Sequence, residues 1–212
     1  MSKTKNIVLM GLLICILVLM ALTPLGYLKI GPLSITFNMI PVSIGAIALG
    51  KKGGAVLGGV FGLTSFLSCM GIIVPLDTFG ATLLSINWLY TVIVCFIPRI
   101  LDGFLAGLIA ENALKLLKSK PVAFGITGFF AALLNTVMFM SLLVRLFGST
   151  DYIQGIWNTL AAGKNAIIFI CAFVGLNAVV EIAASTVITS AVSAGLYKAN
   201  LICTNRKSEE NQ

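Results

Sequence analysis

FIPRILDGFLAGLI, residues 96–109, has the composition of membrane helix, yet Arg99 and Asp102 stand inside it. A charge at the centre of a bilayer costs roughly 2.5–3.5 kcal/mol on insertion scales. Such a pair needs partners, in the protein or in a ligand. The rest of the chain has the same character. Of 212 residues, 58% are hydrophobic and 10% are charged, where a soluble domain carries roughly 25% charged residues. The apolar runs are continuous rather than alternating, which fits spanning helices and not a barrel. At about 20 apolar residues per span, the length allows six or seven spans and no soluble domain. The expected fold class is an all-α integral membrane protein, one transmembrane domain over residues 1–212, in the cell membrane.

Six helices are expected, at about 7–22, 35–50, 53–74, 83–116, 122–147 and 166–196, followed by a polar tail over 197–212. Lys3 and Lys5 before the first apolar run resemble a signal peptide, but LTPLGYLKIGPL carries no small-x-small cleavage site, so the segment is read as a retained helix. Orientation follows from the basic residues near helix ends. Lys3, Lys5, Lys51, Lys52, Lys115, Lys118, Lys120, Lys198, Arg206 and Lys207 would share one side, against Lys29, Arg145 and Lys164 on the other. That bias makes both termini cytoplasmic and requires an even number of spans. The cytoplasmic turns are short. The outer connections, around TPLGYLKIGPLS, PLDTFGATLL and GSTDYIQGIWNTLAAGKN, are long, and long connections in a compact protein are often functional. They hold Lys29, Asp77, Asp151, Trp157 and Lys164, a mixture suited to a lid over a small polar ligand. Trp88 and Tyr90 fit an interfacial aromatic belt; Trp157 fits either role.

The chain has no histidine, and its five cysteines include no Cys-x-x-Cys pair. Neither a disulfide framework nor a metal or haem centre is expected, and no cofactor. Gly54, Gly58 and Gly62 lie four apart, as do Gly103 and Gly107, so each set shares a helix face that lets a neighbouring backbone approach closely. GKKGG lacks the spacing of a phosphate-binding loop. Any ATP-driven work must then come from a partner, and no nucleic-acid partner is expected.

Three expected helices carry polar residues at central levels: Arg99 and Asp102, then Asn135, then Asn177 and Glu181 four apart on one face. Such groups turn inward, because facing lipid would leave them unpaired. Two arrangements satisfy this. Arg99 could pair with Asp102 or Glu181 in a structural network capped by the asparagines, or the set could floor a ligand cavity. A buried ion pair is weak evidence for stability alone, which favours the cavity. With two acids against one arginine, the floor is not an evident anion trap, and a carboxylate could instead be held nearer the mouth.

The run IGPLSITFNMIPVSIGAIALGKKGGAVLGGVFGLTSFL, residues 30–67, resembles the signature block of the substrate-binding S components of energy-coupling factor (ECF) vitamin transporters. Pro98-Arg99, Leu134-Asn135-Thr136 and the Asn177 and Glu181 pair are similar too, and the pattern is most like the pantothenate branch, with folate and riboflavin receptors next. The resemblance implies a high-affinity vitamin receptor that is not itself an enzyme. It would dock on a transmembrane coupling protein driven by two cytoplasmic ATPase subunits. The family's small docking residues on helix 1 would correspond to Gly11 and Cys15. For pantothenate, Arg99 or Lys164 would take the carboxylate, and Asn135 and Asn177 the amide and hydroxyls. The remaining candidates for substrate contact are Asp102, Glu181, Trp157 and Lys29. A stand-alone channel or facilitator on the same polar core is the competing class. An intramembrane enzyme would need a base near Ser85, Ser141 or Ser185, and none is evident.

Overall fold

The computed structural model describes residues 3–23, 26–29, 34–73, 77–161 and 165–202. Among them, five helices are long and apolar enough to cross a membrane: Thr4–Ala21, Met39–Cys69, Trp88–Leu116, Lys120–Phe147 and Asn177–Lys198. In chain order the elements are α1 (Lys3–Ala21), β1 (Tyr27–Lys29), β2 (Ser34–Thr36), α2 (Met39–Cys69), α3 (Thr78–Ile86), α4 (Trp88–Leu116), α5 (Lys120–Phe147), α6 (Asp151–Ala161) and α7 (Ala166–Lys198). Large apolar side chains on the outer helix faces, among them Val8, Leu12, Val56, Leu63, Leu101, Val137, Val179 and Val187, are exposed. Arg99, Asp102, Asn135, Asn177 and Glu181 are buried. Apolar outside and polar inside is what a lipid surround demands.

The helices expected at 35–50 and 53–74 form one element, α2, broken at Gly50, whose φ of 74° and ψ of −174° are not helical. The two halves fold against each other. A side chain on Gly45 would overlap Leu57, and one on Gly54 would come within 2.9 Å of the Ala46 Cβ. An L-residue at Gly50 would be strained by about 1–3 kcal/mol. Gly50→Ala is therefore expected to lower the thermal midpoint of the purified protein in detergent by a few degrees, with Gly11→Ala, where a methyl meets nothing within 4 Å, as the control that leaves it unchanged.

The segment expected as one helix over 83–116 is two. Asn87 is extended (φ −157°, ψ 104°), and its Oδ1 accepts the Tyr90 N–H at 3.1 Å, a side-chain cap that restarts the chain as α4. The connections read as loops contain ordered structure: α3, α6, and an antiparallel hairpin in which Tyr27 pairs with Thr36 and Lys29 with Ser34.

Packing follows the small residues. Backbone carbonyls of α4 lie where side chains of α2 would be, so that a Cβ on Gly58 would overlap the Arg99 carbonyl and one on Gly54 the Gly103 carbonyl. Gly62 would come within 2.9 Å of the Cys95 oxygen. The α2–α4 pair is the close approach that glycines four apart permit. Leu9, Leu13, Leu17 and Ala21, also four apart, form the buried face of α1 against Met39, Val42, Ala46 and Phe61 of α2. On the other flank Ser185 Oγ of α7 donates to the Gly128 oxygen of α5 at 2.9 Å, and Ser190 Oγ to the Pro121 oxygen at 2.8 Å. A second apolar cluster closes the end of the bundle holding α3 and α6, from Phe79, Leu83, Val94, Met140, Phe147, Ile153, Phe169 and Phe173.

Candidate functional site

Beneath that second cluster lies a cavity of about 90 Å³. One water needs roughly 10–15 Å³ of such space, so it suits a small organic molecule rather than a lone ion. Its wall is drawn from β2, α2, α3, α4, α5 and α7. The polar lining is Thr36, Ser65, Asp77, Thr91, Arg99, Asn135, Thr136, Asn177 and Glu181, with Cys69 and Cys95; Phe79, Leu83, Val94, Phe139 and Val174 supply the apolar part. A mostly apolar hollow with a few convergent polar groups is the usual form of a small-molecule site.

Arg99 is the basic residue of the described lining, and local sequence explains its pose. Pro98 interrupts α4 and has no N–H to give. The carbonyl left without its helical donor is that of Val94, four residues back. Arg99 Nη1 donates to that same oxygen. The Pro-Arg dipeptide thus creates an orphan acceptor and fills it, drawing the guanidinium towards the start of α4. Its carbon is 4.7 Å from the ring centre of Phe139 and 5.4 Å from that of Phe61, both cation–π distances. Its Nε has no hydrogen-bond partner among the described residues.

The pairing of Arg99 with Asp102 considered from sequence is not made. Helical side chains lean towards the N-terminus of their helix, and Asp102 is one turn the other way. Asp102 is fully buried, neither of its oxygens has a hydrogen-bond partner among the described residues, and it is not in the cavity lining. Nor does Glu181 take Arg99 by hydrogen bond. Its Oε1 accepts the Thr36 backbone N–H at 2.6 Å and the Thr36 hydroxyl at 3.3 Å, tying the hairpin to α7. Asn135 is buried, with its Oδ1 unpartnered among the described residues.

Four of the eight residues singled out from sequence, Arg99, Asn135, Asn177 and Glu181, line this one cavity. Trp157 does not. It stacks on Phe169 at 4.8 Å with ring planes 1° apart, and Phe169 stacks on Phe173, so it braces the apolar cluster above. Lys29 is placed by its backbone in β1, opposite Ser34, and Lys164 lies outside the described residues. Sequence reasoning missed Thr36, Ser65, Thr91 and Phe139 as lining. Thr36 had a signal, since it is the threonine of the Ile-Thr-Phe element.

The arrangement predicts a separable effect of Pro98. In Pro98→Ala, the new N–H competes for the Val94 carbonyl and loosens Arg99. Ligand affinity is expected to fall about fivefold, roughly 1 kcal/mol, while thermal stability does not fall, because alanine suits a helix interior better than proline. Parallel titration and thermal unfolding of the variant measure both.

Comparison with known proteins agrees with this architecture. The family model described as ECF transporter, substrate-specific component, matches residues 5–193. The chain is 26% identical over 210 residues to the pantothenic acid transporter PanT of Lactococcus lactis subsp. cremoris, covering 93% of this chain and 96% of that protein. It is 30% identical over 203 residues to the pantothenate transporter PanT of Leuconostoc mesenteroides subsp. mesenteroides, covering 90% and 91%. Transport relatives and long apolar helices together make this a multi-pass membrane protein.

Proposed function

The chain belongs to the substrate-specific components of ECF transporters, and from that premise we propose that it captures pantothenate at the outer face of the membrane for uptake. The relatives carry pantothenate in their names, and the cavity has the chemistry such a ligand needs. Pantothenate is a small carboxylic acid with one amide and two hydroxyls. Arg99 takes the carboxylate by charge-assisted hydrogen bonds. Asn135 and Asn177 exchange hydrogen bonds with the amide and hydroxyls, an asparagine side chain being able both to donate and to accept. Val94, Phe139 and Val174 cover the gem-dimethyl carbon. Glu181, engaged by Thr36, latches the hairpin beside the ligand and leaves Arg99 free for an anion. Trp157 and Asp102 act from outside the lining, and the charges of Lys29 and Lys164 favour an acid.

In this reading the two halves of α2 each cross the bilayer, giving six crossings with both termini cytoplasmic. The distribution of basic residues supports it: Gly107 packs on Lys51, and Lys120 contacts Tyr197, so the ends bearing Lys51, Lys52, Lys115, Lys120 and Lys198 lie together, away from the cavity. Transport is driven by a transmembrane coupling protein and two ATPase subunits. The observation that carries the reading is the meeting of Arg99, Asn135 and Asn177, from three different helices, in one wall. Small-molecule mass spectrometry of the protein purified from growing cells tests it. Pantothenate released on denaturation is the expected result. A flavin or a pterin would move the assignment to the riboflavin or folate type, and an empty protein that passes pantothenate through ATPase-free vesicles would make it a facilitator.

A further inference from the structure

Cys69 closes α2 and Cys95 lies on α4, and their sulfurs are 4.0 Å apart. Both are free, buried thiols, and both line the cavity. Ser65 Oγ, one turn before Cys69, is 3.9 Å from the Cys95 sulfur. Gly80 of α3 lies over Cys69, where a methyl group would overlap the sulfur and crowd the Asp77 carboxylate. The room the Cys69 thiol occupies therefore depends on a glycine. The helices bearing the two thiols meet at Gly62 and the Cys95 carbonyl, two turns before Cys69. A disulfide needs its sulfurs at about 2.05 Å and its Cα atoms within about 6.8 Å, so closure requires the end of α2 to move towards α4. Cys95 is also one turn from Arg99 on the same helix, so it faces the same hollow.

We propose that Cys69 and Cys95 are an oxidisable dithiol in the wall of the ligand cavity, closed to a disulfide by a peroxide entering through the ligand's opening. Closure and ligand occupancy then oppose each other, a consequence that rests on the pantothenate reading. In the first step one thiol sulfur attacks a peroxide oxygen. The O–O bond breaks, the sulfur becomes a sulfenic acid, and the other oxygen leaves as water with the thiol proton. In the second step the remaining thiol attacks the sulfenic sulfur, the S–O bond breaks, and the hydroxyl leaves as water with the second proton. Two thiols are oxidised, one peroxide is reduced, and two waters form. The new bond pulls the end of α2 onto α4 beside Arg99 and narrows the hollow.

The test uses the full chain in lipid nanodiscs with Cys15, Cys171 and Cys203 changed to alanine, treated with hydrogen peroxide. Intact mass is expected to fall by two hydrogens, with a peptide crosslink joining Cys69 to Cys95. Pantothenate affinity falls by about tenfold or more and returns on adding dithiothreitol, and saturating pantothenate slows the crosslink. In Cys69→Ser the affinity no longer responds to peroxide. Oxygen adducts without a crosslink, or a crosslink that leaves affinity unchanged, would overturn the proposal. Should the reduced protein bind no pantothenate, the ligand assignment fails, and the crosslink alone decides for or against the dithiol.

Discussion

Arg99→Ala is expected to weaken pantothenate binding by about 10- to 150-fold. One charge-assisted hydrogen-bonded contact contributes roughly 1.5–3 kcal/mol, and about 1.4 kcal/mol is a decade of affinity. The loss is concentrated on this residue because the described lining has no other basic side chain to replace it, while Asp77 and Glu181 remain to repel an acid. Arg99→Lys should recover part of the loss. A lysine keeps the charge, but it cannot hold the Val94 carbonyl and a carboxylate with one planar fork. The neutral alcohol analogue of pantothenate makes the complementary test. It should bind wild type more weakly than the acid does, and Arg99→Ala should bind acid and alcohol nearly alike. Equal preference for the acid in wild type and variant would assign the carboxylate to another cation.

Gly58→Leu is the substitution expected to damage the fold most. A Cβ there would overlap the backbone carbonyl of Arg99, and backbone cannot rotate away as a flexible side chain can. Helices α2 and α4 would have to part along the seam where Gly54 and Gly62 also approach α4. Overpacking of this kind costs about 1–3 kcal/mol, or roughly 2–12 °C in thermal midpoint for a chain of this size. Binding should fall with it, since the residue displaced is Arg99. The adjacent Gly59 is the control: a Cβ there meets the Ile100 side chain at 3.7 Å, ordinary contact. Gly59→Leu is expected to stay within a degree or two of wild type and to keep its affinity. Thermal unfolding followed by tryptophan fluorescence, with titration of each purified variant, reads both effects.

The polar members of the site were legible because a membrane helix makes them so. Arg99, Asn135, Asn177 and Glu181 interrupt apolar sequence at similar depths, and lipid forbids them the outer face. The glycines of α2 were legible as a packing face for the same spacing reason. Ser65 and Thr91 were not, since small hydroxyl residues in helices commonly bond a preceding carbonyl, as Thr91 does to Asn87, and their presence in apolar sequence says little about a cavity. Asp102 and Glu181 were both candidate partners of Arg99; the direction in which an arginine leans, and the carbonyl freed by Pro98, draw the guanidinium away from Asp102. Helix α6 and the start of α3 escaped because each is short and lies beside turn residues, and the rest of α3 was read into the long helix that Asn87 divides. Trp157 had the residue type of a ligand platform, and its stacking on Phe169 depends on a neighbour that sequence alone could not supply.

Central to this function is one physical claim, that Arg99, Asn135 and Asn177 share a hollow that holds one small acid without help from partner subunits. Equilibrium titration of labelled pantothenate into the purified chain, with no coupling protein or ATPase present, measures that claim directly. Saturation at one ligand per chain, weakened in Arg99→Ala and in Asn135→Ala while a lipid-facing Val137→Ala variant is unchanged, is the result predicted. Saturable binding with the same affinity in wild type and in all three variants would contradict it.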